Sequence, residues 1–306
     1  MGISRLLDSS TSIRHRIKRC DRLLGNSKLD RERQLIYGGM ARRLLCAIAQ
    51  PLIIVDWSDL HADRSQQLLR AALIVKARAL TLYEEVHPIS RATSPKVHSA
   101  FIKRLKVILP LPCRPVFVTD AGFRSPWFTL LDSMGVAWIG RIRNRDMVRS
   151  TSVGQDWHGC KALYPKANCP PRDLGQFQYV RSNPVGCRLI WVKKKSRARH
   201  HTTVHGAITR SKRSLKQAAA QKEPWLLAVS PQLDKLSAKA IVAIYSGRMQ
   251  IEQTFRDVKN PRWGLGLSHH QTRKPKPACE SVIDWCTRVL RSVADCPCST
   301  HERLSH

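Results

Sequence analysis

The sequence is poor in acidic residues: it has 22 Asp and Glu against 53 Lys and Arg in 306 residues, a formal charge of +31. This self-repelling charge excludes an ordinary metabolic enzyme of the cytosol and indicates a polyanionic partner, most commonly nucleic acid. A ribosome-associated protein and a protein of the membrane surface are the alternatives at this point. A hydrophobic content of 42% is enough to form a core, which excludes a wholly disordered basic protein.

Long apolar segments are also absent. The longest apolar run, residues 44–55, is interrupted by Gln50 and Pro51 and is too short to cross a bilayer. The N-terminal sequence MGISRLLDSSTS lacks the apolar stretch of a signal peptide. Leu6 stands where a myristoylation motif needs Ser or Thr. We therefore expect a cytoplasmic protein without a membrane partner.

Closely spaced cysteine pairs of the C-x-x-C type, which zinc ribbons use, are missing among the ten cysteines. Cys296 and Cys298 flank a single proline and have no matching second pair. The adjacent His200 and His201 are typical of an exposed surface. The cysteines are therefore interpreted as reduced thiols, and no zinc site is predicted.

The first half of the chain alternates between helical and strand-like segments. Apolar residues recur at helical spacing over residues 1–50, and the apolar runs 51–56 and 115–120 each end in an acid, Asp56 and Asp120. Strands are predicted at residues 68–75, 79–86 and 135–143, and helices at residues 97–109 and 125–134. Strands that alternate with helices indicate a mixed α/β fold.

Residues 144–233 differ in composition from the first half of the chain, because their apolar runs are short and Gly and Pro are frequent. This segment is interpreted as β-rich, with strands near residues 177–180, 187–192 and 225–229. It contains no acid between Asp173 and Glu223, so its cations are expected to bind DNA phosphates. The cations assigned to this role are Lys193, Lys194, Lys195, Arg210, Lys212 and Arg213.

A long helix is predicted from about Ser237 to Lys259, just before Pro261. At about 100° per residue, four functional side chains share an arc of roughly 60° on one side of this helix. They are Tyr245, Arg248, Glu252 and Lys259. A carboxylate flanked by two cations and a phenol is suited to contact phosphates, with a metal ligand in the middle.

The spacing Y-(2)-R-(3)-E-(6)-K of these four residues resembles the signature of bacterial insertion-sequence transposases of the DDE class, in the large family numbered four. The resemblance extends from about residue 50 to residue 272 and includes IIVDWSD around Asp56, VFVTDAGF around Asp120 and GLGL at residues 264–267. It implies an α/β fold with an RNase H-like mixed-sheet catalytic core. The implied boundaries are a helical N-terminal segment at 1–50, the core at 51–143 and 234–273, a basic β-rich insertion at 144–233 and a poorly packed tail at 274–306.

The resemblance also assigns the catalytic carboxylates. Asp56, Asp120 and Glu252 would hold two Mg²⁺ ions, for which Mn²⁺ can substitute. Hard oxygen ligands suit these ions independently of the family. A strand-end Asp considered alone is more often a cap or a turn residue, so the assignment depends on the matching helix.

Contacts to DNA follow from the same resemblance. Tyr245, Arg248 and Lys259 would bind phosphates near the scissile bond. Trp225 would stack on a base flipped out of the terminal hairpin, which offsets part of the cost of flipping. Two alternatives stay open: Trp191, in another β segment, is a second aromatic candidate, and Trp225 is also compatible with core packing.

The implied function is cut-and-paste DNA transposition by two-metal phosphoryl transfer, through strand nicking, hairpin formation and strand transfer. The implied partners are the terminal inverted repeats, target DNA and a second copy of the chain, at the bacterial nucleoid. The sequence departs from the family at both ends. Only 55 residues precede Asp56, whereas family members usually have a longer N-terminal DNA-reading region, and the tail lacks the expected apolar helices. A frameshift near Lys276 would explain that tail. The alternative function is a truncated, catalytically inactive remnant that binds DNA or full-length transposase as an inhibitor.

Overall fold

The computed structural model of the chain describes residues 10–24, 28–60, 63–75, 78–143, 146–194, 211–212, 215 and 223–259. The chain divides into two compact units, the first formed by Met1–Cys113 with Met249–His306 and the second by Arg114–Arg248. The predicted tail, the GLGL segment, Lys195, Arg210 and Arg213 lie outside the described residues.

The described residues include six α-helices with known bounds, three short 3₁₀ helices and ten strands. The helices are α1 (Ile13–Leu24), α2 (Lys28–Leu45), α3 (Pro95–Ile108), α4 (Ser125–Ser133), α5 (Ala238–Ser246) and α6 (Met249–Lys259). The strands are β1 (Leu52–Asp59), β2 (Gln66–Ile74), β3 (Ala79–Pro88), β4 (Val116–Thr119), β5 (Ala137–Ile142), β6 (Met147–Ser150), β7 (His158–Gly159), β8 (Arg172–Tyr179), β9 (Val185–Val192) and β10 (Trp225–Val229). Within the described ranges, no helix combines the length and apolarity needed to cross a bilayer.

The first unit is built on the antiparallel strands β1, β2 and β3, which pair in that order. β1 begins with a fully buried apolar run, Ile53–Val55, so that it forms in the core as its sequence predicts. Helix α6 packs on this layer through Ile251 and Phe255, which share a buried cluster with Ile54, Leu68 and Ala72. This packing places the acidic and basic side chains of α6 beside the strand that carries Asp56.

The second unit contains a parallel pair, β4 and β5, connected through helix α4. Its sheet continues from β5 through β10, β9, β8 and β6 to β7, and all these further pairings are antiparallel. Phe128 of α4 stacks on Trp138 of β5 with ring centroids 4.3 Å apart. The mixed α/β fold predicted from the sequence is confirmed, and it is compatible with an RNase H-like core.

The single helix predicted over residues 237–259 is wrong. Helix α5 ends at Ser246 and α6 begins at Met249, so Gly247 and Arg248 lie between two helices. Their N–H groups bond three residues back, to Ile244 O and Tyr245 O, both at 3.1 Å. Glycine is a poor helix former, and such tightened bonds are common where a helix ends. The 60° arc drawn for one continuous helix therefore does not apply.

Candidate active site

Asp56 lies on β1 of the first unit, where only 8% of its surface is exposed. Its Oδ1 accepts the N–H of Trp57 at 2.9 Å. Its register partner on β2 is Arg70, and opposed residues of an antiparallel pair share one face of the sheet. Arg70 is itself buried, and both its Nε and its Nη2 donate to Glu84 Oε2 at 2.7 Å. A buried carboxylate thus lies on a face that also carries a buried ion pair.

Lys259, at the end of α6, reaches this same face of β1. Its Nζ donates to Ser58 Oγ at 2.8 Å, and Ser58 is two residues beyond Asp56, so both side chains point to one side of the strand. Burial lowers the pKa of Lys259 and Arg70 lowers it further, whereas Asp59 acts in the opposite direction. Glu252 is half-buried on α6, directly after the buried Ile251. The first unit thus carries two of the predicted carboxylates and one predicted cation.

Asp120 follows β4 in the second unit and is oriented by a tight turn. Its Oδ1 accepts the N–H of Gly122 at 2.8 Å, and its carbonyl accepts the N–H of Phe123 at 3.4 Å. A Cβ at position 122 would come within 2.9 Å of Asp120 Oδ1, so a larger residue there would displace the carboxylate from this position. The carboxylate is half-exposed at the end of a buried strand, as the sequence predicts.

Tyr245 is the centre of a cluster in the second unit. It is 2% exposed, and the Arg248 guanidinium lies 5.9 Å from its ring centroid. Burial raises the pKa of Tyr245, the cations Arg248 and Arg141 oppose the shift, and Asp120 adds to it. The Arg141 guanidinium and the Asp120 carboxylate therefore lie close enough to act on the phenol electrostatically. The structure therefore brings together three residues that the sequence had singled out.

Trp225 borders this cluster. Its ring is 5.0 Å from that of Tyr245 in an edge-to-face arrangement, and the Lys194 ammonium lies 4.0 Å from the Trp225 centroid. Lys194 Nζ also donates to Ser246 Oγ at 2.7 Å. Trp225 is half-buried, whereas Trp191, the second aromatic candidate, is buried in β9. Trp225 is therefore the more exposed of the two indoles.

Sequence reasoning missed Arg141, on β5. Burial lowers its pKa, its Nη2 donates to Pro224 O at 3.5 Å, and its Nε has no hydrogen-bond partner in the described part of the chain. Glu223, the nearby acid, forms its ion pair with Arg143 instead, at 3.2 Å. The available signal was an arginine inside an otherwise apolar strand, AWIGRI.

The remaining predicted cations are surface residues where the structure describes them. Lys193 and Lys194 lie exposed beyond the end of β9, and Lys212 is exposed. No group of three or more His, Cys, Asp and Glu residues that could hold a metal ion occurs among the described residues. Asp56 and Glu252 belong to the first unit and Asp120 to the second.

Comparison with known families places most of the chain within a family model. The family model described as "Transposase DDE domain" matches residues 48–275, about three quarters of the chain. A search of curated proteins finds no match. The matched range contains Asp56, Asp120, Trp225 and the whole Y-R-E-K signature.

Proposed function

The chain belongs to the transposase DDE domain family, and we propose that it carries out cut-and-paste transposition of an insertion sequence of family four. DNA is the substrate that this family implies. The observation that supports the proposal most is the Tyr245 cluster, in which a buried phenol lies near the Arg248 guanidinium and within electrostatic reach of Arg141 and Asp120. Two guanidinium groups beside a carboxylate suit a phosphodiester whose bond is to be broken close by.

The donor set fits the divalent metal that DDE transposases generally use. Asp56, Asp120 and Glu252 are carboxylates, the hard oxygen ligands that Mg²⁺ and Mn²⁺ prefer. The chemistry that two bound ions supply is neutralisation of charge at the attacking and leaving oxygens of an in-line displacement. The buried setting of Asp56 and the backbone N–H bond to Asp120 each restrict how these carboxylates can turn.

The other residues of the signature would bind and orient the DNA. Arg248 and Arg141 can each grip a phosphate with two parallel N–H bonds, whereas Lys259 acts as a point charge. Lys259 is held toward β1 by its bond to Ser58, so Ser58 would orient it. In this proposal the chain nicks one strand, forms a hairpin at the element's end and then joins that end to target DNA as a homodimer.

Nicking of the element's own end sequence tests the catalytic assignment. We expect the wild type to nick this duplex only with Mg²⁺ or Mn²⁺, and Glu252→Gln to lose nicking while it still binds DNA. Glu32→Gln, at an exposed acid of α2, is the matched control and should nick like the wild type. Binding without nicking by the wild type would instead support the inactive, DNA-binding alternative.

The proposed role of Trp225 has a separate test. Only hairpin formation needs a flipped base, so Trp225→Ala should impair the hairpin more than the first nick, by roughly tenfold for about 1–3 kcal/mol of lost stacking. Trp225→Phe retains an aromatic face and should recover part of this loss. Equal losses in both steps would favour a packing role against Tyr245.

A further inference from the structure

A second candidate site lies in the second unit, away from the residues assigned to catalysis. A cavity of about 630 Å³ opens between the start of α4 and the residues around β6 and the end of β8. Its polar lining includes Arg124, Asp146, Tyr179 and Arg181. Ligand cavities of roughly 300–1,000 Å³ hold molecules of the size of a nucleotide.

The two arginines supply the positive charge of this cavity. Neither Arg124 nor Arg181 forms a salt bridge or a side-chain hydrogen bond within the described part of the chain, and both are exposed to solvent. Arg124 nevertheless lies close enough to Asp146 and Tyr179 to influence both electrostatically. Guanidinium groups bind phosphates through paired N–H bonds, so an anionic phosphate suits this end of the cavity.

Asp146 places a negatively charged carboxylate in the wall of the cavity. Its Oδ2 accepts the N–H of Arg143 at 3.1 Å, which fixes the carboxylate on the wall. A carboxylate repels a simple anion, but it accepts hydrogen bonds from amino groups such as the cytosine N4 group. A ligand that presents a phosphate to the arginines and an amino group to Asp146 would therefore satisfy both.

The backbone of the cavity wall is held in an uncommon conformation. Val180 has φ of +64°, a left-handed conformation that is an outlier for a β-branched residue. Its N–H donates to Met147 O at 2.9 Å, which ties the turn before Arg181 to β6. Such conformations persist only where the surrounding structure enforces them, so the position of the Arg181 backbone is fixed.

We propose that this cavity binds one nucleotide of a DNA single strand, with its phosphate on Arg124 and Arg181 and the amino group of its base on Asp146. The inference rests on the proposed function only in taking DNA as the substrate. It assigns to the second unit a DNA contact that neither the signature nor the family match provides.

Binding of short oligonucleotides to the full chain tests this site without cleavage. The probes are fluorescein-labelled DNA pentamers of deoxycytidine and of thymidine, measured by fluorescence anisotropy without divalent ions. We expect the wild type to prefer the cytidine pentamer, and Arg181→Gln to weaken its binding by roughly tenfold through loss of a charge-assisted contact. Arg172→Gln, at an exposed arginine of the same unit outside the cavity, should weaken it less than about threefold, as loss of one generic phosphate contact would.

Asp146→Asn tests the base contact. An amide can donate as well as accept, so this variant should lose the preference for cytidine over thymidine. Equal losses in Arg181→Gln and Arg172→Gln, or equal affinity of the wild type for both pentamers, would overturn the proposal. Free dCMP that competes as strongly as the pentamer would also overturn it, in favour of a free nucleotide. Failure of nicking with these binding results intact would refute only the catalytic function.

Discussion

The buried imidazole of His98 makes the stability of the first unit depend on pH. His98 lies on α3 and is 4% exposed. Its Nε2 accepts the indole N–H of Trp57 at 3.0 Å, a bond that a protonated imidazole cannot accept. Burial, and to a lesser extent the neighbouring His87, lower the pKa of His98 from 6.5 to about 4.

The sign of the effect follows from which state binds the proton. Above pH 6.5 His98 is neutral in both states; between pH 6.5 and 4 the unfolded chain binds a proton that the native chain does not. The free energy of unfolding therefore decreases as pH falls, by roughly 2 kcal/mol at pH 5 and about 3 kcal/mol at lower pH. The pKa of Glu85 is depressed from 4.5 to about 2. Its ionised carboxylate therefore stabilises the native state, and this contribution is lost mainly below the window of His98, as pH falls from 4.5 toward 2.

Urea unfolding at pH 7 and pH 5, followed by tryptophan fluorescence, measures this difference. The amide oxygen of His98→Gln can still accept the Trp57 bond without titrating, so this variant should lose about 2 kcal/mol less than the wild type between the two pH values. His15→Gln, at an exposed histidine of α1, should behave like the wild type. Equal pH dependence of the wild type and His98→Gln would refute the reasoning.

Two further predictions concern packing and a buried charge. A Cβ at Gly140 would lie 2.3 Å from Phe128 Cζ, so Gly140→Ala should lower the free energy of unfolding by about 1–3 kcal/mol. Gly159→Ala is the control, because a Cβ there would have no atom within 4 Å, and its effect should be far milder. Thermal unfolding of the two variants measures the difference. Glu84→Gln leaves the Arg70 charge buried without its partner and should cost about 3–5 kcal/mol. Adding Arg70→Met should restore part of this stability in urea titrations, and no recovery would contradict the ion-pair account.

Much of the fold was predictable because the local pattern of apolar residues indicates which segments are buried. The apolar run before Asp56 and the one before Asp120 both form buried strands, and Pro126 lies in the first turn of a helix, where its fixed φ is favourable. These features depend on residues that are neighbours in the chain.

What the sequence could not predict depends on tertiary contacts. The helical periodicity wrongly predicted one unbroken helix through Gly247, because Ile244, Ile251 and Phe255 continue the apolar pattern on both sides of the break. Nothing near Arg141 in the chain indicates that it approaches Tyr245, more than a hundred residues away. Ser58 likewise contacts Lys259 only because α6 packs on β1.

In the stacking role proposed for Trp225, an incoming base would have to displace the Lys194 ammonium that lies over the ring. A base that stacks on this face gains about 1–3 kcal/mol but displaces a cation–π contact of about 0.5–1 kcal/mol. The displaced ammonium also leaves its bond to Ser246 and becomes available to the phosphate of the incoming nucleotide. Under this proposal a DNA end would compete with a side chain of the protein itself, which would favour bases that leave their helix easily over bases that remain firmly paired.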